Sequence, residues 1–158
     1  GYDSKDSLGL LSGVVDIYMP DFKFWSHESS SRYAGARDYP EIARKAVQVM
    51  HQQVGDLKCD REGVAISGLL IRHLLMPGLM DETREILQFI ARSISQNSYI
   101  NIMDQYRPCG EARTFPELGC GISNDELQEA LKFAQSLGLS RIDKLDIANF
   151  LKRLQSLL

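Results

Sequence analysis

The chain has 158 residues and a net charge of −3, with 18 Lys and Arg against 21 Asp and Glu, which is the size of one domain with a substantial core. The slight negative charge and the lack of a basic run argue against a nucleic-acid surface, and no apolar run approaches the roughly 18 residues that span a membrane. Three cysteines, Cys59, Cys109 and Cys120, match no disulfide or zinc spacing, which favours free thiols in the cytoplasm.

Strand-like and helix-like segments alternate along the chain. Short apolar runs indicate strands, and apolar residues at helical spacing indicate helices. In chain order the sequence predicts a strand over 13–24, a helix over 40–54, a small hairpin over 56–67, a strand over 68–76, a helix capped by Asp81, a strand over 98–104, a helix over 123–138 and a last helix over 144–157.

The helix boundaries rest on specific residues. Pro40 suits a first helical turn, and Gly55 suits the end of the same helix. Ser123 and Glu126 have the spacing of a capping box. Strands that alternate with helices in this way predict an α/β fold with a parallel sheet. The first strand is not followed by G-x-G-x-x-G, which argues against a dinucleotide-binding fold.

Polar side chains cluster where the predicted strands end. The first strand ends with Asp21 and Lys23, which face the same side by strand alternation. The second carries Arg72 and His73 within an apolar run, and the third is followed by D-Q-Y-R, which includes Gln105 and Tyr106. In α/β folds the chemistry sits at the carboxyl ends of the strands. The pattern therefore predicts one polar, mostly cationic pocket suited to a ligand with a carboxylate and hydroxyl groups.

Each of these residues also has a structural interpretation. Asp21 and Lys23 could end a strand in solvent. Arg72 could form a structural salt bridge with Asp21. His73 lies on the opposite face of its strand from Arg72, and the sequence favours a hydrogen-bonded core histidine.

Three segments together carry a resemblance to a known family. They are V-D-I-Y-M-P-D-F-K-F-W, G-L-L-I-R-H-L-L-M-P-G and Y-I-N-I-M-D-Q-Y-R-P. In this order and spacing they resemble the C-terminal half of radical S-adenosylmethionine proteins related to pyruvate formate-lyase activating enzyme. The resemblance implies the C-terminal half of a (β/α)6 partial TIM barrel, with about three parallel strands and four helices. It assigns 1–139 to the barrel and 140–158 to a C-terminal helix that packs on it or extends it.

The resemblance also implies a chemistry and a set of contacts. The family cleaves S-adenosylmethionine reductively with a four-iron, four-sulfur cluster, and the resulting 5′-deoxyadenosyl radical abstracts hydrogen. Asp21, Lys23 and Arg72 match cofactor-contacting positions, and Gln105 or Tyr106 falls near another. Met19 and Asp21 match a monovalent cation site found in some members. The partners implied are a glycyl-radical enzyme or another protein substrate, and an electron donor such as flavodoxin or ferredoxin.

One departure from the family is large. The C-x-x-x-C-x-x-C cluster motif is not in this chain, so neither cluster ligands nor catalytic residues are assigned to it. We therefore expect the chain to be the C-terminal portion of a longer protein and to be inactive alone. A partial barrel leaves an open sheet edge, which predicts a homodimer through that edge or cover by the last helix.

Two other functions stay open. The chain could be a non-catalytic half barrel that binds a nucleotide-like ligand or a protein partner. It could also be a different α/β enzyme that uses Asp21, Lys23 and His73 in acid–base chemistry.

Overall fold

The structure, a computed structural model, describes residues 1–143. The predicted helix 144–157, and with it most of the predicted segment 140–158, lies outside the described residues. The helices are α1 (Lys5–Leu10), α2 (His27–Ala34), α3 (Tyr39–Val54), α4 (Met80–Phe89) and α5 (Asn124–Ser136), and the strands are β1 (Ile17–Tyr18), β2 (Lys58–Cys59), β3 (Ala65–Leu74) and β4 (Tyr99–Met103). A π-helical turn, Ile90–Ile94, continues α4, and 3-10 turns occupy Gly110–Thr114 and Pro116–Leu118.

The sheet is built around β3. β1 pairs with it in parallel, with Ile17 opposite Gly68, and β4 pairs with it in parallel, with Leu70 opposite Tyr99. β2 is antiparallel to the first residues of β3 and forms the predicted hairpin. The Asp60 carboxylate closes this hairpin by accepting backbone N–H groups from the turn. The predicted α/β fold with parallel strands is therefore confirmed, and the partial barrel stays a prediction.

The parallel pairing continues past the three predicted strands. Ile142 lies opposite Ile100 on the outer edge of β4, in parallel orientation. The N–H of Ile100 donates to the Arg141 carbonyl at 3.0 Å, and the N–H of Asp143 donates to the Ile100 carbonyl at 2.8 Å. The chain after α5 thus returns to the sheet, which extends the strand–helix–strand alternation by another unit.

Two local predictions were wrong, and the helix α2 was not predicted. The strand predicted over 13–24 is regular only at Ile17–Tyr18, because Pro20 has no N–H to donate, and the pairing resumes at Asp21 opposite Arg72. The polar stretch after it folds as α2, since Ser26 caps its first turn. Asp81 is not the cap of α4. Leu79 takes that position, and Asp81 lies in the first turn.

Most of the remaining boundaries agree with the sequence, except that the strand predicted over 68–76 runs from Ala65 to Leu74. α3 begins beside Pro40 and ends at Gly55 as predicted. α5 begins at Ser123, whose side chain and Glu126 form the predicted capping box. β4 falls within the predicted range 98–104.

The two faces of the sheet differ sharply. Leu69, Ile71 and His73 of β3 are buried against a core supplied by α3, α4 and α5. The alternate residues Leu70, Arg72 and Leu74 point to the other face and are partly exposed. On that face and at the β1 edge, Ile17 is 38% exposed and Met19 is 56% exposed. Within residues 1–143, one face of a parallel sheet is therefore packed and the other is open.

Candidate functional site

Asp21, Lys23 and Arg72 meet at the carboxyl end of β1. The Arg72 guanidinium places Nε 2.7 Å and Nη2 2.6 Å from Oδ1 of Asp21. The Lys23 ammonium lies 3.4 Å from Oδ2 of the same carboxylate. The predicted convergence of these three side chains from two strands is confirmed. The geometry also shows the salt bridge between Arg72 and Asp21 that the structural interpretation predicts.

The electrostatics of this cluster favour an anionic ligand. Partial burial acts to raise the pKa of Asp21, but the hydrogen bond from Arg72 and the charges of Lys23 and Arg72 outweigh it and hold the pKa below its usual value. One carboxylate between two cations leaves an excess positive charge. Lys23 and Arg72 are 41% and 37% exposed, so an incoming carboxylate or phosphate oxygen can reach their remaining N–H donors.

A cleft of about 400 Å³ adjoins the cluster along the outer edge of β1. Leu11, Tyr18, Met19 and Met50 give it an apolar wall, and Asp3, Asp21, Arg72 and the amino group of Gly1 give it polar groups. The cleft therefore combines apolar surface with a few convergent polar groups, as small-molecule sites do.

The predicted cation site at Met19 and Asp21 stays a prediction. Both residues border the cleft, and strand alternation turns the Met19 peptide away from β3, toward the open edge. The two carboxylate oxygens of Asp21 already face Arg72 and Lys23. A monovalent cation at Asp21 would therefore share this carboxylate with Arg72 and Lys23.

Gln105 and Tyr106 follow β4, but their side chains make hydrogen bonds outside the cluster of Asp21, Lys23 and Arg72. The Gln105 amide is exposed and lies 3.5 Å from the sulfur of Met103. The Tyr106 hydroxyl donates to the Leu118 carbonyl at 3.0 Å, and its ring packs in a small cluster that includes Phe24. Neither side chain makes a hydrogen bond with Asp21, Lys23 or Arg72 in the described part of the chain. Their predicted contact with a cofactor stays a prediction.

Tyr39 and Glu82, which no sequence motif identifies, form hydrogen bonds with the backbone of the site. The Tyr39 hydroxyl accepts the N–H of Lys23 at 3.0 Å and lies 3.2 Å from the Asp21 carbonyl, to which it donates. Burial raises the pKa of Tyr39 to about 12, so the hydroxyl keeps its proton. Glu82 of α4 accepts the N–H groups of Trp25 and Ser26. Neither residue stands out in the sequence, because both contacts join segments that are far apart in the chain.

The described residues do not fit an iron–sulfur cluster. Cys59, Cys109 and Cys120 are all exposed, Cys59 in the hairpin and the other two in the segment after β4. Within residues 1–143 no group of three His, Cys, Asp or Glu side chains is arranged to hold a metal ion. A cluster ligand set would have to come from residues other than these.

The fold and the site define a mixed α/β protein whose polar residues gather at the carboxyl ends of parallel strands. None of the helices in residues 1–143 has the length and apolarity to cross a membrane. No family model matches the chain, and no solved structure matches it.

A relative exists among curated proteins. An uncharacterised protein of Methanocaldococcus jannaschii is 31% identical over 142 residues, which cover 89% of this chain and 38% of the relative. The chain thus spans little more than a third of that protein's length.

Proposed function

We propose that the chain is the C-terminal part of a radical S-adenosylmethionine enzyme related to pyruvate formate-lyase activating enzyme. The observation that carries the proposal is the meeting of Asp21, Lys23 and Arg72 at the carboxyl end of parallel strands, beside a cleft with an apolar wall. These are the residues that the resemblance assigns to the cofactor, and they come from segments about 50 residues apart in the chain.

A partial barrel accounts for the open face of the sheet. Parallel sheets are usually covered on both faces, and in a barrel the second face becomes the filled interior. Apolar side chains such as Ile17 and Leu70 would then pack against the strands that precede β1. The relative from M. jannaschii is more than twice as long as the matched region, so it has enough further sequence to supply such strands.

Each residue of the cluster has a defined role in this proposal. Lys23 and Arg72 bind the carboxylate and the ribose hydroxyls of S-adenosylmethionine, and Asp21 orients Arg72 and stabilises the positive charge of the sulfonium. When bound with a cluster, this cofactor supplies reductive cleavage and hydrogen abstraction. The cluster ligands, the electron donor (flavodoxin or ferredoxin) and the glycyl-radical enzyme substrate are assigned outside this chain.

The proposal is tested first on the native gene product. Intact mass and peptide sequencing give its length, and the proposal expects about 100 or more residues before Gly1 that include C-x-x-x-C-x-x-C. The full-length protein should then bind iron and sulfide and, with dithionite, release 5′-deoxyadenosine from S-adenosylmethionine. A native protein that begins near Gly1, or one that has the motif but forms no 5′-deoxyadenosine, refutes the enzyme proposal.

A second function is favoured by one observation. The ion pair between Asp21 and Arg72 forms without a ligand. A non-catalytic half barrel that binds a nucleotide-like ligand or a protein partner would need no more than this. It predicts that the protein binds S-adenosylmethionine or a nucleotide equally well with and without iron, whereas the enzyme proposal predicts that removing the cluster weakens binding.

A further inference from the structure

His73 lies directly behind the candidate site, on the buried side of β3. Its ring is 1% exposed. Nδ1 lies 2.7 Å from the Phe22 carbonyl, and Nε2 lies 2.9 Å from Oγ1 of Thr83 on α4. Because a carbonyl oxygen only accepts, Nδ1 must carry the proton, and in the neutral ring Nε2 then accepts from the Thr83 hydroxyl. Both ring nitrogens are therefore committed, and they join α4 to the end of β1.

The hydrogen bond from His73 to the Phe22 carbonyl takes the place of a backbone hydrogen bond of the sheet. The N–H of Arg72 donates to the Pro20 carbonyl at 2.9 Å, and the N–H of Phe22 donates to the Arg72 carbonyl at 2.8 Å. A regular parallel ladder would next pair the Phe22 carbonyl with the N–H of Leu74. Here the Phe22 carbonyl accepts from the imidazole of His73 instead. At this point the segment after β1 separates from β3.

The orientation of the Phe22 peptide determines which face of the sheet the side chains of Asp21 and Lys23 point to. The Phe22 side chain is fully buried, and alternate residues of an extended chain face opposite sides. Asp21 and Lys23 therefore point together toward the open face only while this peptide is held. Tyr39 fixes the same segment through the Asp21 carbonyl and the Lys23 N–H.

We propose that His73 is a positioning residue of the site: its Nδ1–H fixes the Phe22 peptide and so aims Asp21 and Lys23 at Arg72. This inference rests on the proposed function for its ligand, but the alignment itself is a property of the chain. His73 acts through the backbone and does not touch the ligand. A histidine that only filled the core would affect stability and leave the geometry of the ion pair unchanged.

Two substitutions separate these roles. His73→Asn can place an amide N–H near the position of Nδ1, and His73→Gln places its amide near Nε2 and loses the donor to Phe22. The reporter is the Nε–H of Arg72, observed by ¹H–¹⁵N NMR, because this group donates to Asp21. We expect His73→Gln to move the signal toward that of a solvent-exposed arginine and to speed its hydrogen exchange about tenfold or more. His73→Asn should keep the wild-type signal. Equal signals in both variants, shifted or unshifted, overturn the proposal.

A second pair of variants serves if His73→Gln does not fold. Thr83→Val removes the hydroxyl that orients Nε2, and Thr83→Ser keeps it. The Arg72 Nε–H signal should shift in the first variant and stay in the second. An unchanged signal in folded Thr83→Val contradicts the role of the ring orientation.

Binding of S-adenosylmethionine by the full-length protein, measured by calorimetry, separates the two proposals. If the wild type binds and His73→Gln binds about tenfold more weakly than His73→Asn, both stand. If the wild type does not bind, the proposed function fails, and the Arg72 signal still decides the role of His73.

Discussion

Gly68 is the position where we expect the addition of a single methyl group to lower the free energy of unfolding strongly. Its φ is +113°, a backbone conformation that side chains rarely adopt. A Cβ added there would lie 2.4 Å from the Asp56 carbonyl oxygen and 2.5 Å from the Leu57 Cα. Both atoms belong to the backbone that crosses β3, so neither can move aside as a flexible side chain would.

The expected cost of Gly68→Ala follows from these two effects. A residue in a disfavoured backbone region costs about 1–3 kcal/mol, and forced overlap in a packed interior costs about 1–3 kcal/mol more. We therefore expect the free energy of unfolding to fall by about 2–6 kcal/mol, a large part of the roughly 5–15 kcal/mol that stabilises a domain. With a urea m-value of about 2 kcal/mol/M, the denaturation midpoint should fall by about 1–3 M.

The matched control is Gly9→Ala. Gly9 lies within α1, and a Cβ there would meet nothing within 4 Å. This change should stabilise the protein by about 0.5–1 kcal/mol, because alanine loses less entropy than glycine in a helix. Urea denaturation followed by circular dichroism measures both variants. If Gly68→Ala stays within about 1 kcal/mol of the wild type, the crossing of the Asp56–Leu57 backbone over Gly68 is wrong.

Three further predictions address the site and the open edge. Lys23→Ala or Arg72→Ala in the full-length protein should each weaken S-adenosylmethionine binding by about 1.5–3 kcal/mol, or about 10- to 150-fold. The exposed Lys132→Ala should have no effect, and unchanged calorimetric affinity in both site variants would count against the assignment. Partial burial acts to raise the pKa values of Asp21 and Glu82, but both are lowered in the folded state. Arg72 and Lys23 lower the pKa of Asp21, and the backbone and hydroxyl groups of 25–29 lower the pKa of Glu82. Their contribution to stability is therefore complete above about pH 5, above the unfolded pKa values of 3.8 and 4.5, and is lost as the pH falls through the lower folded pKa values. Asp21→Asn should flatten the decline of the urea midpoint below pH 4, and a decline as steep as that of the wild type would exclude Asp21 as a cause. The 158-residue chain should dimerise through the outer edge of β1, and Ile17→Lys should shift it to monomer in sedimentation. A wild-type chain that is strictly monomeric and binds no apolar dye would contradict this.

The sequence predicted best where a local signal fixes the structure. α3 and α5 carry their own boundary residues, in Pro40 with Gly55 and in Ser123 with Glu126, and both helices form as predicted. The hairpin before β3 also follows from its turn residues. The meeting of Asp21, Lys23 and Arg72 was predictable because parallel strands bring their carboxyl ends together.

The sequence predicted worst where a distant contact decides the outcome. The polar run 27–34 has little apolar surface, yet it folds as α2 because Ser26 caps it and Glu82, more than 50 residues away, binds the backbone at its start. Tyr39 and Glu82 were missed for the same reason, since each acts on backbone groups that no short motif connects to it. The short extent of β1 is a different case, because Pro20 is a local signal in the sequence and the prediction of a strand over 13–24 did not take it into account.

The register of β1 links the stability of the fold to the geometry of the site. Ile17 lies opposite Gly68 and Asp21 lies opposite Arg72, the same offset of 51 residues. A slip of one residue would turn Arg72 toward the packed face and separate it from Asp21. Gly68→Ala therefore has two distinguishable outcomes at the Arg72 Nε–H signal. A variant that is destabilised but keeps its register retains the wild-type signal below its unfolding midpoint, whereas a variant that relieves the clash by shifting β3 loses the signal while still folded. The second outcome would identify Gly68 as the residue that sets the alignment of Asp21 with Arg72.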